Sequence, residues 1–234
     1  MQSISLRLFA LTCLIFVLGA GPAYEPTSAY HTQTVEGWLV YVSSAFNKGH
    51  QDDQEKSLAL LRVKLFDITR VVPAPALAEL RKVPIWLELA DRKTVCMCYH
   101  PSKQWLIDND LNPDKAQCVE IASSNRFLKW SLAQPWMVLH ELAHAYHDRV
   151  LGFENPEINA AYDQAVSSHK YESVLHFDGK TMRAYALTNA KEFFAENSEA
   201  FFGTNDFYPF VRSELQAYDP ATYQLMRKMW GIKD

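Results

Sequence analysis

The chain has 234 residues, of which 48% are hydrophobic and 13% aromatic, and its formal net charge is −4. With only 8 glycines and 11 prolines, it is neither collagen nor a low-complexity disordered chain. The acidic balance lacks both the basic footprint of a nucleic-acid-binding protein and a polybasic membrane patch.

The first 23 residues have the order of a secretory signal peptide. Arg7 precedes an apolar run at 8–18, and the small residues Gly19, Ala20, Gly21 and Ala23 follow. The run is too short to cross a bilayer. We therefore predict cleavage near 20–23 and a secreted, periplasmic or extracellular protein with no stable membrane insertion afterwards. An uncleaved anchor is the alternative.

Hydrophobic patterning predicts that the first half of the chain is rich in strands. After a loose leader at 24–33, strands are expected at 35–42, 83–89, 94–99 and 119–121. Between the first two, apolar residues at alternating three- and four-residue spacing predict a helix at 53–72, which Pro73 and Pro75 end.

The second half is predicted to be mainly helical. Helices are expected at 135–151, at 156–168, from a cap at Thr188 or Asn189 to Gly203, and at 219–230. A hairpin at 173–177 and 181–186 turns at Asp178-Gly179. Because strands and helices are segregated along the chain, the predicted class is α+β. Residues 24–234 are expected to form a single catalytic domain, with a sheet-containing part at 34–134 and a helical active-site part at 135–234.

Three cysteines follow the signal peptide, at positions 96, 98 and 118. Because an exported protein meets an oxidising compartment, we expect one disulfide that joins Cys118 to Cys96 or to Cys98. The last two share a strand face, so the pattern does not choose between them. Three thiols without a nearby fourth argue against a structural zinc site.

The sequence His140-Glu141-Leu142-Ala143-His144 is an H-E-x-x-H motif. On a helix, residues i and i+4 lie about 40° apart, so both imidazoles face the same way. Glu141 lies about 100° around the helix, where a general base can take a proton from zinc-bound water. A surface helix with two histidines is the alternative.

A catalytic zinc needs a third protein ligand. On the helix predicted before Gly203, Glu192, Glu196 and Glu199 share one face. Glu192 could be the third ligand, and Glu196 could accept the free N–H of a ligating histidine. Glu199 could do the same for His147, which we expect to support the site or to be exposed. A solvated charged face is the alternative for Glu192 and Glu199, and the rival third ligands are His169 and His176.

The H-E-x-x-H motif, Tyr185 seven residues before Glu192, and the segment 192–196 together resemble the catalytic domain of anthrax lethal factor and the related Pro-Pro endopeptidases. Those proteins are gluzincin-type zinc metallopeptidases with a zincin-like fold. The resemblance implies one zinc per chain, held by His140, His144 and Glu192. It also implies Glu141 as the base and Tyr185 as the residue that stabilises the oxyanion, a role suited to a phenol.

We therefore expect a secreted zinc endopeptidase that hydrolyses peptide bonds of a protein or peptide substrate by Glu141-assisted attack of zinc-bound water. The alternatives are a non-catalytic binding protein of zincin fold and a zinc hydrolase of a non-peptide amide. The intact Glu141 argues against the binding protein, because binding alone needs no base. Nothing in the sequence separates the peptidase from the amide hydrolase.

Overall fold

The computed structural model describes residues 24–90 and 96–233. The predicted signal peptide at 1–23 lies outside the described residues. No helix within these two ranges is both long and apolar enough to cross a membrane.

Five strands form one mixed sheet. They are β1 (Tyr30–Val35), β2 (Trp38–Ser43), β3 (Ile85–Leu87), β4 (Met97–Tyr99) and β5 (Val119–Ile121). The order across the sheet is β1-β2-β3-β5-β4. The central strands β2, β3 and β5 are parallel, whereas β1 and β4 run antiparallel at the two edges.

The N-terminal edge of the sheet differs from the prediction. Residues 24–33 are not only a loose leader, because β1 begins at Tyr30 and forms a hairpin with β2. The predicted strand at 35–42 contains the turn of this hairpin, Glu36-Gly37. Both residues have positive φ, 49° and 95°. Two successive left-handed residues are typical of a type I′ turn, which reverses the chain within two residues.

The helices confirm the longer predicted segments. The observed helices are α1 (Gln51–Val71), α2 (Ala74–Leu80), α3 (Lys103–Asp108), α4 (Ser124–Trp130), α5 (Met137–Tyr146), α6 (Pro156–Ser168), α7 (Ala190–Phe202), α8 (Arg212–Tyr218) and α9 (Pro220–Met229). α5 continues directly into a π-helix at His147–Leu151. Four short helices, α2, α3, α4 and α8, were not predicted. Each has only six or seven residues, too few to show helical periodicity.

The predicted hairpin is shorter than expected. Its strands are β6 (Val174–Leu175) and β7 (Thr181–Met182), and a 3-10 helix begins at Tyr185. Tyr185 therefore does not lie on the second strand of the hairpin, as its position in the predicted segment 181–186 required.

One face of the sheet and the surrounding helices form the hydrophobic core. Val40, Val42, Ile85 and Leu87 are fully buried, and α1 contributes Leu61, Leu65 and Ile68 to the same core. α5 packs against β4 and along α7. This arrangement places the H-E-x-x-H segment between an edge strand of the sheet and α7, and the mixed architecture confirms the α+β class.

The predicted disulfide is wrong. Cys96 and Cys118 are free thiols, and Cys98 is not bridged to either of them. In the antiparallel register, Cys98 pairs with Glu120, which leaves Cys118 two positions away on the neighbouring strand. Diagonal neighbours of this kind are about 7–8 Å apart. A disulfide requires Cα atoms within about 7 Å, so this pairing would need a backbone movement.

Candidate metal centre

Three predicted ligands come together between α5 and α7. The Nε2 atoms of His140 and His144 are 3.1 Å apart. Glu192 Oε2 lies 3.1 Å from Nε2 of His140 and 3.3 Å from Nε2 of His144. The three atoms thus form a nearly equilateral triangle.

This triangle fits a zinc ion. Ligands about 2.0–2.1 Å from a tetrahedral zinc are separated from one another by about 3.3 Å, close to all three observed distances. Hydrogen bonds cannot satisfy all three contacts at once, because the carboxylate oxygen only accepts and each ring nitrogen carries at most one hydrogen. Two imidazoles and one carboxylate are a donor set typical of catalytic zinc.

Local sequence explains how α7 presents Glu192. The side chain of Asn189 caps the helix and accepts hydrogen bonds from the N–H groups of Lys191 and Glu192. The cap fixes the first turn of the helix, which contains Glu192. On α5, Leu139, Leu142 and Ala143 are fully buried, which turns the histidines toward α7.

Charges and hydrogen bonds within the site shift the pKa values of its ligands. Burial alone would raise the pKa of Glu192, but hydrogen bonds from His140 and His144 outweigh it and hold that pKa far below its usual value. Burial would lower the pKa of His140, yet the carboxylates of Glu192 and Glu199 raise it well above its ordinary value. The carboxylate is therefore ionised at neutral pH, as a metal ligand must be.

The partner of the other His140 nitrogen differs from the prediction. Glu199 Oε1 lies 2.8 Å from His140 Nδ1, whereas Glu196 Oε1 is 3.7 Å away. Both glutamates are buried, so the solvated face that was the alternative for Glu199 is wrong. Burial raises the pKa of both carboxyls. The charge of Glu199 raises the pKa of Glu196 further, whereas the hydrogen bond with His140 opposes the rise at Glu199.

His147 neither contacts Glu199 nor is exposed, as the two predictions required. It is fully buried rather than exposed, and neither ring nitrogen has a hydrogen-bond partner among the described residues. The expected contact with Glu199 is absent because the π-helix begins at His147 and its ring packs between Phe153 and Phe194. Burial lowers the pKa of His147 to about 4, so the ring is neutral near pH 7.

Glu141 is held by the edge strand of the sheet. Its Oε2 accepts a hydrogen bond of 2.8 Å from the main-chain N–H of Tyr99. The neighbouring residues Cys96 and His100 direct their main-chain groups toward the β5 side. Because these groups alternate along an antiparallel strand, those of Met97 and Tyr99 face the free edge, which the Glu141 carboxylate reaches.

Two cavities flank these side chains. One has a volume of about 390 Å³ and the other about 260 Å³. Both are lined by Met97, His140, Glu141 and Tyr185. The larger also contains Glu196, Glu199 and Asp206, whereas the smaller contains His144 and Glu192. Glu141 therefore lies between two open spaces.

Tyr185 reaches both cavities from the 3-10 helix. Its side chain is 47% exposed. Burial of the remainder, followed by the nearby charge of Glu192, raises the pKa of its hydroxyl. The phenol thus stays protonated at neutral pH and can donate a hydrogen bond into the cleft.

The rival ligands do not join the histidines of α5. His169 ends α6 in a left-handed conformation and is exposed. His176 lines the larger cavity, where its Nδ1 lies 2.8 Å from Asp178 Oδ1. Sequence reasoning missed the main-chain N–H of Tyr99 and the side chain of Met97. Met97 and Tyr99 are alternate residues of the predicted strand at 94–99, and this spacing was the available sign that they share one face.

The sequence matches a known protein family over residues 111–229. The family is described as anthrax toxin lethal factor, N- and C-terminal domain, and the match covers just over half of the chain. The chain belongs to this family. Lethal factor is a zinc metalloprotease, so membership of its family supports the broad class of hydrolases. The matched segment contains every candidate residue from His140 to Glu199. No curated protein and no solved structure gives a significant match to the chain.

Proposed function

We propose that this protein is a secreted zinc-dependent endopeptidase of the gluzincin type, with a zincin-like catalytic domain. The observation that carries the proposal is the triangle of His140, His144 and Glu192, with the carboxylate of Glu141 beside it. Family membership supports the same class of enzyme. Export is supported by the sequence pattern of residues 1–23 alone.

Each of the chain's own groups has a defined task in this proposal. Zinc bound to the triangle would polarise a water molecule and the scissile carbonyl. Glu141 accepts the proton of the attacking water and passes it to the leaving amine. The N–H of Tyr99 holds Oε2 of Glu141, which leaves the second carboxylate oxygen for the proton. The hydroxyl of Tyr185 donates to the oxyanion that develops at the carbonyl.

The free edge of β4 supports an extended peptide as the substrate. At that edge no strand within 24–90 or 96–233 pairs with the main-chain groups of Met97 and the C=O of Tyr99, so these groups can pair with a substrate strand, the usual mode of β-strand addition. A peptide bound along β4 would run past Glu141 and enter both flanking cavities. Residues on both sides of the cleaved bond would then be bound, which favours an endopeptidase.

The decisive experiment replaces Glu141 by Gln. The variant should bind zinc as the wild type does, but its kcat/KM should fall by about 10²–10⁴-fold, because an amide cannot accept the proton. Activity is measured on a peptide library with cleavage sites mapped by mass spectrometry, and zinc by elemental analysis. The matched control is Glu154→Gln, which removes an exposed carboxylate outside both cavities.

Two outcomes would overturn the proposal. Undiminished cleavage by the Glu141→Gln variant would refute the role of the base. A zinc-loaded wild type that cleaves no peptide in the library would instead favour the non-catalytic binding protein or the hydrolase of a non-peptide amide.

A further inference from the structure

A second group of metal-ligating side chains lies on the opposite face of the sheet from α5. Cys98 on β4, His100 just after it and Glu120 on β5 bring one ligand atom each within 4.8 Å of one another. Met97 and Tyr99 contact the α5 side, so Cys98, between them, points to the other face. Glu120 pairs directly with Cys98 in the register of β4 and β5.

Two of the ligand atoms, from Cys98 and Glu120, approach the third, which is Nε2 of His100. His100 Nε2 lies 3.4 Å from Cys98 Sγ and 2.6 Å from Glu120 Oε2. A ring nitrogen carries at most one hydrogen, so it cannot bond fully to both neighbours. A metal ion can bond to all three atoms. In a tetrahedral zinc site a sulfur and a nitrogen ligand are about 3.6 Å apart, close to the observed 3.4 Å. A nitrogen and an oxygen ligand are about 3.3 Å apart, so zinc binding must move Glu120 Oε2 away from His100 Nε2.

Glu120 is already oriented for such a role. Its Oε1 accepts a hydrogen bond from the ammonium of Lys115, while Oε2 points to His100. Lys115 also donates to Glu88 at 2.7 Å. A carboxylate ligand fixed through its second oxygen by a neighbouring group is typical of metal sites.

The charge of the cluster favours a divalent cation. Its two buried carboxylates, Glu88 and Glu120, share the single positive charge of Lys115, and burial raises the pKa of Glu88. With both carboxylates ionised and His100 neutral, the cluster carries one negative charge. An uncompensated buried charge is costly. Binding of Zn²⁺ with release of the Cys98 thiol proton adds one positive charge and makes the cluster neutral.

We propose that Cys98, His100 and Glu120 bind a second zinc ion with a structural role. Sulfur, imidazole and carboxylate ligands together are typical of zinc. His100 and Glu120 are buried and Cys98 is half-buried, which leaves the fourth position to a water molecule on the cysteine side. The ion would join β4 to β5 through side chains, in addition to the backbone ladder.

The proposed zinc site of Cys98, His100 and Glu120, called the clamp below, has a consequence for the candidate metal centre. Its two β4-side ligands are the residues immediately before and after Tyr99, whose N–H binds Glu141. The clamp would therefore fix the residue that orients the base. This last step rests on the proposed function of Glu141, whereas metal binding at the clamp does not.

Cobalt(II) tests the site directly. A cysteine thiolate bound to Co²⁺ gives an intense charge-transfer band in the near ultraviolet, and the ligands His140, His144 and Glu192 include no sulfur. We expect two Co²⁺ ions per wild-type chain and this band. Cys98→Ser should hold one ion and lose the band, whereas Glu192→Ala should hold one ion and keep it. Cys118→Ser, which changes another buried cysteine, is the matched control and should match the wild type.

His100→Gln provides a second test in case Cys98→Ser does not fold, and circular dichroism checks the fold of every variant. This variant should also hold one ion and lose most of the band. One ion per wild-type chain without the band would overturn the second site and leave the proposed function intact. The band persisting undiminished in Cys98→Ser or in His100→Gln would also refute this ligand set. Failure of the proposed function alone would leave the band in wild type and in Glu192→Ala.

Hydrogen exchange tests the clamp itself. In Glu192→Ala protein, zinc should slow amide exchange in the peptide containing 96–100, because only the second site remains. Unchanged exchange on saturation with zinc would contradict the structural role.

Discussion

Tyr185 is the only tyrosine among the described residues that lines both cavities. Loss of one oxyanion donor costs up to about 10²–10³-fold in kcat, and a half-exposed donor contributes less. We therefore expect Tyr185→Phe to lower kcat by about 10–10³-fold, with unchanged zinc content and little change in KM. Steady-state kinetics on a cleaved peptide measure this effect.

Tyr162→Phe is the control for this measurement. The Tyr162 hydroxyl donates to the carbonyl of Leu187, outside both cavities. Its removal should leave kcat within about twofold of the wild type. Equal losses of kcat in the two variants would indicate a structural effect and contradict the role of Tyr185 in oxyanion stabilisation.

His147 makes stability depend on pH. Its pKa falls from 6.5 in the unfolded chain to about 4 in the folded one, because burial disfavours the charged ring. The unfolded state therefore binds more protons between these values, and stability falls as pH decreases from about 6.5 to 4. Below both pKa values, where the His147 ring is protonated in the folded and in the unfolded chain, the total loss of stability is about 3 kcal/mol.

His147→Leu should remove this dependence, since Leu has a similar volume and no proton to bind. Urea unfolding of chelator-treated protein at pH 7 and pH 5 gives the free energy of unfolding for both chains. We expect the wild type to lose more stability between these pH values than the variant. Equal losses would contradict a neutral, desolvated His147.

At the scale of elements, α7 determines which glutamate supports His140. Glu196 is one turn after Glu192, but Glu199 makes the shorter contact with His140 Nδ1. Partners of this kind typically change metal affinity by about 10–100-fold. Glu199→Gln should therefore weaken zinc binding by that factor, and Glu196→Gln should weaken it less.

Titration against a chelator of known zinc affinity measures both variants. Asp163→Asn, which removes an exposed carboxylate on α6, serves as the control. A larger loss of affinity in Glu196→Gln than in Glu199→Gln would restore the arrangement expected from sequence spacing.

The sequence predicts the elements whose signals are local. α6 and α7 match the predicted segments because Pro156 opens one and the Asn189 cap and Gly203 bound the other. The short helices and β1 were missed because they depend on tertiary contacts more than on periodicity.

The same distinction applies to the candidate site. The motif spacing indicates His140, Glu141 and His144, and the resemblance adds Glu192 and Tyr185. The Tyr99 contact with Glu141 involves a main-chain group, so no residue type could reveal it. The preference for Glu199 over Glu196 depends on how α7 lies against α5, which periodicity on a single helix does not determine. The proximity of Cys98, His100 and Glu120 depends on how β4 pairs with β5, which the spacing of the cysteines does not reveal.

At the scale of the molecule, the two candidate sites differ in how much of each lies within the family match. The family match at 111–229 contains β5 and every helix from α4 to α9, and so the ligands His140, His144 and Glu192. Cys98 and His100 lie before the match, and only Glu120 lies within it. Strands β1 to β4 precede the match, and the edge strand β4 connects them to the matched part through its pairing with β5 and its contacts with α5.

Zinc should consequently stabilise the whole folded chain, in proportion to the number of ions it holds. Where free zinc exceeds the dissociation constant, each tenfold increase adds about 1.4 kcal/mol to the free energy of unfolding per bound ion. We expect a slope of about 2.8 kcal/mol per tenfold change for wild type. Glu192→Ala and Cys98→Ser should each give about half of that slope, and the double variant should give almost none. Urea unfolding in zinc buffers of defined free concentration measures these slopes. A wild-type slope equal to that of Cys98→Ser would limit the chain to the candidate metal centre between α5 and α7. A wild type insensitive to zinc would contradict both sites, because an ion held by the folded chain and released on unfolding must shift this equilibrium.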